Sequence, residues 1–317
     1  MILVTGADGF VGRYLCEYLE NGGRSFRAAV RTMDQAKVVK RGAAVGNIDS
    51  STNWQRALEG VTTVVHLAAK VHAKAQKDDQ ALVEYRRVNV DGTVKLAKQA
   101  AAAGVHRFIY ISTVKVLGEE SGSGPFRSGD VPAPKDHYSI SKLEAENALR
   151  EICDAGPMEL VIIRPPLVYG GEAKGNFARL VWMVKKGYPL PLAGIQNKRS
   201  LIGIDNFCSF IQTCIDHPDA PGGVFLVSDG QDVSTADLIR LIARLSNNPA
   251  RLFGVPPKLL LCICRLAGLG PTMEKLTGNL QVDCSDTRKR LNWLPPCTLE
   301  QGIARSISPH HFCKSNC

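Results

Sequence analysis

The run MILVT (1–5) passes without a break into GADGFVGRYLCEYL (6–19), so a strand must turn at once into a helix. This switch of period constrains the chain more than any other feature, and it recurs. Short apolar runs at 1–5, 26–30 (FRAAV), 63–68 (TVVHLA), 107–112 (RFIYIS) and 159–164 (ELVIIR) read as buried strands, with helical stretches at 12–21, 53–59, 85–103 and 139–152. Strands alternating with helices build right-handed βαβ units, which predicts a parallel sheet covered on both faces. After residue 170 the alternation loosens, and prolines at 189–191, 218–221, 256–257 and 295–296 mark loops. The expected fold is α/β, a Rossmann-type doubly wound parallel sheet with a smaller α/β C-terminal substrate domain. The first domain covers 1–170, with about 200–228 (SLIGI, VFLVS) returning to it; the second takes 171–199 and 229–305, and 306–317 is a flexible tail.

Gly6, Gly9 and Gly12 fall at the first strand-to-helix turn, spaced G-x-x-G-x-x-G. A dinucleotide pyrophosphate needs a tight turn there, close backbone approach and close helix–sheet packing. The N–H groups of the following helix then face the phosphates. A glycine-rich turn without a ligand is the competing explanation, but the strand–turn–helix context favours a dinucleotide. An acid closing the second strand would bind the ribose hydroxyls of NAD, whereas arginine accommodates a 2′-phosphate. Here the strand ends AAVRT, so Arg31 favours NADP(H), with NAD(H) kept open because a solvated surface arginine looks the same. Asp49, in GNIDS, suits a hydrogen bond to the adenine amine.

Composition narrows the partners. A formal charge of +9 over 317 residues suggests nucleic acid only if the cations gather into runs, and along the sequence they are scattered. A phosphate-bearing small molecule accounts for the excess equally well. The ten cysteines form no pair of C-x-x-C clamps, so packed thiols and no metal site are expected. His310, His311, Cys313 and Cys317 cluster in the tail, where a frayed terminus outweighs a metal site. The chain enters a strand at once with nothing like a signal peptide, and its longest apolar run, LLLCIC (259–264), is too short to span a bilayer. No nucleic acid, no integral membrane segment and a cytoplasmic location are therefore expected.

YSISK (138–142) places Tyr138 and Lys142 four residues apart on one helical face. Alone the pair means little. A cation beneath a phenol, however, typically lowers its pKa by ~1–3 units from about 10, into the range where it exchanges a proton with a sugar or alcohol oxygen. The strand FIYIST ends at Ser112 and Thr113, at the carboxyl edge where such sites form.

The motifs TGADGFVG, HLAA (66–69), VNVDGT (88–93), YISTVKVLG (110–118), YSISK and RPPLVYG (164–170) occur in the order that resembles the extended short-chain dehydrogenases/reductases. This is the NAD-dependent epimerase/dehydratase family, and the chain is most similar to its nucleotide-sugar branch, from Met1 to about Gly302. The resemblance implies a catalytic set of Thr113, Tyr138 and Lys142, with Tyr138 as acid/base and Lys142 on the nicotinamide ribose. It implies cofactor contacts at Gly6, Gly9, Phe10, Val11, Gly12, Leu67, Ala68, Ala69, Ser112 and Pro165, with Asn89 in a structural Asn-Val motif beside them. Asn176 (in GNF) and Arg199 (in KRSLIGID) match positions that hold a substrate nucleotide diphosphate, and Arg251 is placed with them. Two departures matter. Dehydratases of the superfamily carry Thr-Asp-Glu where this chain has Thr113-Val114-Lys115, which argues against elimination of water. Leu117 stands where the family often has tyrosine.

The resemblance therefore implies a UDP-sugar substrate and an NADP(H)-dependent 4-keto reductase acting on a UDP-4-keto-6-deoxy-N-acetylhexosamine in bacterial polysaccharide synthesis. A UDP-hexose or UDP-N-acetylhexosamine 4-epimerase with bound NAD is the alternative, because both reactions use the same residues. Two minor alternatives remain: a lipid-linked sugar epimerase, suggested by the apolar stretch 255–270, and a non-catalytic dinucleotide-sensing module. A homodimer is left open.

Overall fold

The computed structural model describes residues 1–71, 78–173, 175–256 and 276–308. Its main sheet takes β1 (Ile2–Thr5), β2 (Phe26–Val30), β3 (Gly42–Ala44), β4 (Thr63–His66), β5 (Arg107–Ile111) and β6 (Glu159–Arg164). Two further strands, β7 (Leu167–Tyr169) and β8 (Leu201–Gly203), pair with each other in parallel outside it. The last strand, β9 (Val224–Leu226), returns to the main sheet, whose order β3-β2-β1-β4-β5-β6-β9 is parallel throughout. The strand order reverses between β1 and β4, and the crevice at their carboxyl ends is the place where a doubly wound sheet takes its ligand.

The strands are apolar on both sides because both faces are covered. On one face α1 (Phe10–Asn21) packs against α8 (Ile204–Asp216), joining Leu15 and Leu19 to Phe207, Phe210 and Ile211. The other face carries α5 (Gly92–Ala102) and α6 (His137–Asp154), whose Leu96, Ala100 and Leu149 meet Val64, Phe108 and Tyr110. Each fully buried Leu or Phe contributes roughly 1.5–3 kcal/mol. A separate core joins Phe177 and Leu180 of α7 (Asn176–Lys185), Ile239 and Ile242 of α9 (Thr235–Leu245), and Ile303 of α11 (Leu299–Ile307). Between α9 and α11, α10 (Ser285–Leu291) contacts β9.

The two packing regions meet at one buried carboxylate. Asp229 accepts hydrogen bonds from the Tyr169 hydroxyl (2.6 Å), the Gly203 N–H (2.9 Å) and Asn206 Nδ2 (2.7 Å). Asn206 also donates to the Cys297 carbonyl and accepts from its N–H.

All five expected strands are present, 26–30 and 159–164 to the residue. The helix expected over 85–103 is interrupted. It comprises the end of α4 (Asp78–Arg86), a π-helical turn at Arg87–Asp91 and then α5. The wider turn buries Asn89. β3, Gly-Ala-Ala, carries no pattern that predicts a strand and exists through its pairing with Ala28–Val30.

Six cysteines among the described residues are buried and reduced. Among the described residues no group of three or more potential metal ligands occurs, and no helix is long and apolar enough to cross a membrane. Most of the apolar stretch 255–270, and the tail residues His310, His311, Cys313 and Cys317, lie outside the described residues.

Candidate active site

The loop between β1 and α1 is built around missing side chains. Gly6 has φ +64°, and a Cβ there would lie 2.8 Å from the Ala68 nitrogen. A Cβ on Gly12 would lie 2.2 Å from the Gly6 oxygen. Gly9 caps α1 with no side-chain bond, and the first turn holds no acid, so its N–H groups remain directed at the cleft edge. These features fit a dinucleotide pyrophosphate, which needs bare backbone and a positive helix end. From this loop a cleft of about 870 Å³ runs past Leu67, Ala69, Ser112, Thr113, Tyr138, Lys142 and Pro165 to Asn176 and Arg199. Phe10 and Val11 also line it.

The floor of the cleft is a set of buried polar groups. Asp136 caps α6 by accepting from the Ser139 N–H, so Tyr138 and Lys142 face the cleft from the first two turns. Thr113 follows β5, whose end is fixed by the Ser112 N–H donating to the Ile163 carbonyl and the Val114 N–H donating to the Pro165 carbonyl. Lys142 is buried, with Nζ 4.1 Å over the centre of the Tyr110 ring and no hydrogen bond to a described residue. Burial pulls it down to about 7, against the opposing charge of Glu146. An ammonium donor facing the cleft in this way suits the hydroxyls of a cofactor ribose.

The tyrosine departs from expectation. Burial, reinforced by Asp136 and Tyr85, pushes Tyr138 above the usual phenol range, where a cationic Lys142 was expected to lower it. Lys142 is not a fixed cation at neutral pH, so the penalty of burying a phenolate prevails. Tyr138 therefore holds its proton at neutrality.

Sequence reasoning missed what lies beneath. Glu146, one turn after Lys142, accepts from Arg164 Nε (3.0 Å) and Nη2 (2.6 Å) and from the Ser112 hydroxyl (2.5 Å). All three are buried. Glu146 is i+4 from Lys142, and that spacing was the available signal. His66 is fixed in one neutral form. Thr93 donates its hydroxyl hydrogen to the Asn89 carbonyl (2.7 Å) and so accepts from His66 Nε2 (2.9 Å). Thr5, which accepts from the Ala68 N–H, then donates to Nδ1 (2.7 Å). Burial, with Lys142 adding to it, pulls His66 down to about 3.

Other expected residues sit farther out. Asn89 is behind the cleft wall, accepting from the Lys70 N–H and donating to the Lys70 carbonyl and Ser141 Oγ, so it ties the Leu67–Lys70 loop to α6. Arg31 is exposed beyond β2, without an ion pair to a described residue. Asp49 accepts from the N–H and hydroxyl of Ser51, which hold its carboxyl below the usual range. Neither Arg31 nor Asp49 lines the cleft. Arg251 lies elsewhere, beside Gly187, and is not brought together with Asn176 and Arg199.

The mouth is charged. Burial lowers Arg199, Glu120 and Glu119 oppose that, and its Nη1 donates to the Gly278 carbonyl (3.0 Å). Lys115 bonds Glu119 (2.9 Å) and Asp136 (2.7 Å). Burial raises Asp136, but the bonds from Lys115 and Ser139 outweigh it and hold the carboxyl well below its usual range. Leu117 packs inward with Val114, Val116 and Leu280 rather than lining the cleft.

Residues 2–228 match the profile of the NAD dependent epimerase/dehydratase family. A UDP-glucose 4-epimerase of Vibrio cholerae is 45% identical over 311 residues, covering 96% of this chain and 94% of that protein. An N-acetyl-alpha-D-glucosaminyl-diphospho-ditrans,octacis-undecaprenol 4-epimerase of Escherichia coli O157:H7 is 26% identical, covering 96% and 94%. Among solved structures, a UDP-glucuronic acid 4-epimerase from Bacillus cereus in complex with NAD superposes with a TM-score of 0.77 at 21% identity, covering 96% of this chain and 95% of the other.

Proposed function

This chain belongs to the NAD dependent epimerase/dehydratase family, and we propose that within it the protein is a nucleotide-sugar 4-epimerase that keeps its NAD bound through turnover. The observation that carries this proposal is the 45% identity to a UDP-glucose 4-epimerase over nearly the whole of both chains, together with the Thr113, Tyr138 and Lys142 set in one cleft. It reverses the order of preference that Arg31 suggested, in which a 4-keto reductase came first.

The glycine loop and the start of α1 would hold the pyrophosphate, Lys142 the nicotinamide ribose, and Asn176 and Arg199 the diphosphate of a UDP-sugar. NAD bound there supplies the acceptance and return of a hydride at the sugar carbon. The chain's own task is the proton on the sugar oxygen. Thr113 hydrogen-bonds that oxygen, and Tyr138, once its own proton has passed to neutral Lys142, takes up the sugar proton as a phenolate and later returns it. A phenol raised by burial cannot serve as base unaided. Lys142, balanced near neutrality one turn along the same helix face, is the group whose protonation stabilises the phenolate.

The test is to incubate the purified chain with UDP-glucose and UDP-N-acetylglucosamine without added cofactor and to resolve the 4-epimers by anion-exchange chromatography. Interconversion without net cofactor consumption supports the epimerase. Stoichiometric loss of NADPH with a UDP-4-keto-6-deoxyhexosamine, and no epimer, would return the assignment to the 4-keto reductase. Exposed Arg31 is the one observation favouring that second possibility.

A further inference from the structure

We propose that the face formed by α7 and the 251–256 segment docks on an anionic lipid bilayer surface. Along the sequence the cations look scattered, but the fold gathers them. Residues 175–193 and 238–256 contain Arg179, Lys185, Lys186, Arg240, Arg244 and Arg251 and no Asp or Glu. The two segments lie side by side: the Leu190 N–H donates to the Arg251 carbonyl (2.8 Å) and the Phe253 N–H to the Leu190 carbonyl (3.1 Å). Arg240 and Arg244 are paired with Asp237 and Glu300, whereas Arg179, Lys185, Lys186 and Arg251 make no ion pair with a described residue. A third of the chain's excess positive charge or more therefore sits on one face.

The same face carries apolar anchors. α7 buries Phe177, Leu180 and Val184 and turns Arg179 and Trp182 outward; Lys186, its C-cap, is exposed as well, and Lys185 donates to the Ile307 carbonyl (2.6 Å). Trp182 is 51% exposed, Tyr188 49% and Phe253 48%; the other exposed aromatic among the described residues, Tyr18, is 39% exposed on α1. Trp182 and Tyr188 pack together with ring centres 5.3 Å apart. Exposed aromatics interleaved with unpaired cations match the headgroup layer of an anionic bilayer, where rings enter the interface and each Lys or Arg adds attraction. A single-stranded nucleic acid would use open ring faces as stacking platforms, and here two of the three rings already cover each other. Trp182 is six residues, roughly 9 Å along the helix, from Asn176 in the cleft wall, so docking sets the cleft close to the headgroups. The proposal stands apart from the choice between epimerase and reductase.

The experiment is co-sedimentation of the full chain with vesicles of phosphatidylcholine, alone or mixed with phosphatidylglycerol, at low and high salt. Binding to the mixed vesicles at low salt only, weakened about tenfold or more by Arg179→Glu/Lys186→Glu and by Trp182→Ser/Phe253→Ser, is the expected result. Circular dichroism and thermal melting establish that both variants remain folded. No sedimentation with phosphatidylglycerol, or binding unchanged in both folded variants, overturns the proposal. Tighter binding to a homopolymeric RNA through the same residues also overturns it, in favour of a nucleic-acid face. A change of oligomeric state in the serine variant, with vesicle binding intact, assigns the aromatics to a contact between copies and overturns it as well.

Discussion

The floor and the mouth of one cleft handle charge in opposite ways. At the floor, Lys142, Glu146, Arg164 and His66 are sealed from water, and burial decides the protonation of Lys142 and His66. At the mouth, Lys115, Glu119 and Asp136 keep about a quarter to two-fifths of their side-chain surface exposed, and pairing decides the protonation of Lys115 and Asp136. Dryness thus sets the charge state of the floor, while ion pairs set it at the more exposed mouth.

The most direct way to break this contrast is Tyr138→Phe. It should lower turnover by about 10³ or more while leaving bound nicotinamide in place, read as initial rate and as cofactor retained after gel filtration. A variant keeping a tenth of its activity would remove the floor from the chemistry. Next comes Glu146→Ala, which strands Arg164 and should cost about 3–5 kcal/mol in denaturant unfolding. Glu119→Gln at the mouth should stay within about 1 kcal/mol, because its pair keeps about a quarter of its side-chain surface exposed and Lys115 retains Asp136 as a partner. Equal losses would erase the distinction.

A smaller effect separates the regions by pH. The unfolded chain protonates His66 below its ordinary value of about 6.5, whereas the fold keeps it neutral down to about 3. Stability from this group is complete above that upper value and is lost as pH falls toward the lower one. In His66→Gln the slope of unfolding free energy between those limits should be shallower, by at most about 1.4 kcal/mol per pH unit. The smallest effect is expected from Lys115→Met. It frees Asp136 to rise toward ordinary carboxyl values and should alter kcat or KM by about tenfold or less. A loss matching that of Tyr138→Phe would place Lys115 in the chemistry itself.

What the sequence made legible was local. The glycine spacing, the five apolar strands and the Tyr–Lys turn each rest on neighbours within a few residues, and the structure holds all of them. The Glu146–Arg164 fork and the Lys115–Asp136 pair join residues 18 and 21 apart across different elements of the fold, with no period to announce them. The same limit hid the basic face, whose cations are neighbours only after Leu190 meets Leu252. The tyrosine pKa was misjudged because helical spacing reveals proximity but not dryness.

The carboxylate of Asp229 has a practical corollary for anyone recombining relatives of this protein. Three stretches of chain, around Tyr169, Gly203–Asn206 and Asp229 itself, converge on it, and Asn206 passes the tie on to Cys297 in a fourth. A chimaera with a single crossover between residues 169 and 229 would bring a foreign partner to that buried acid. Transplanting the region packed around Phe177, Ile239 and Ile303 therefore calls for a cassette with several junctions, and swapped clones should fail at this knot before they fail at catalysis.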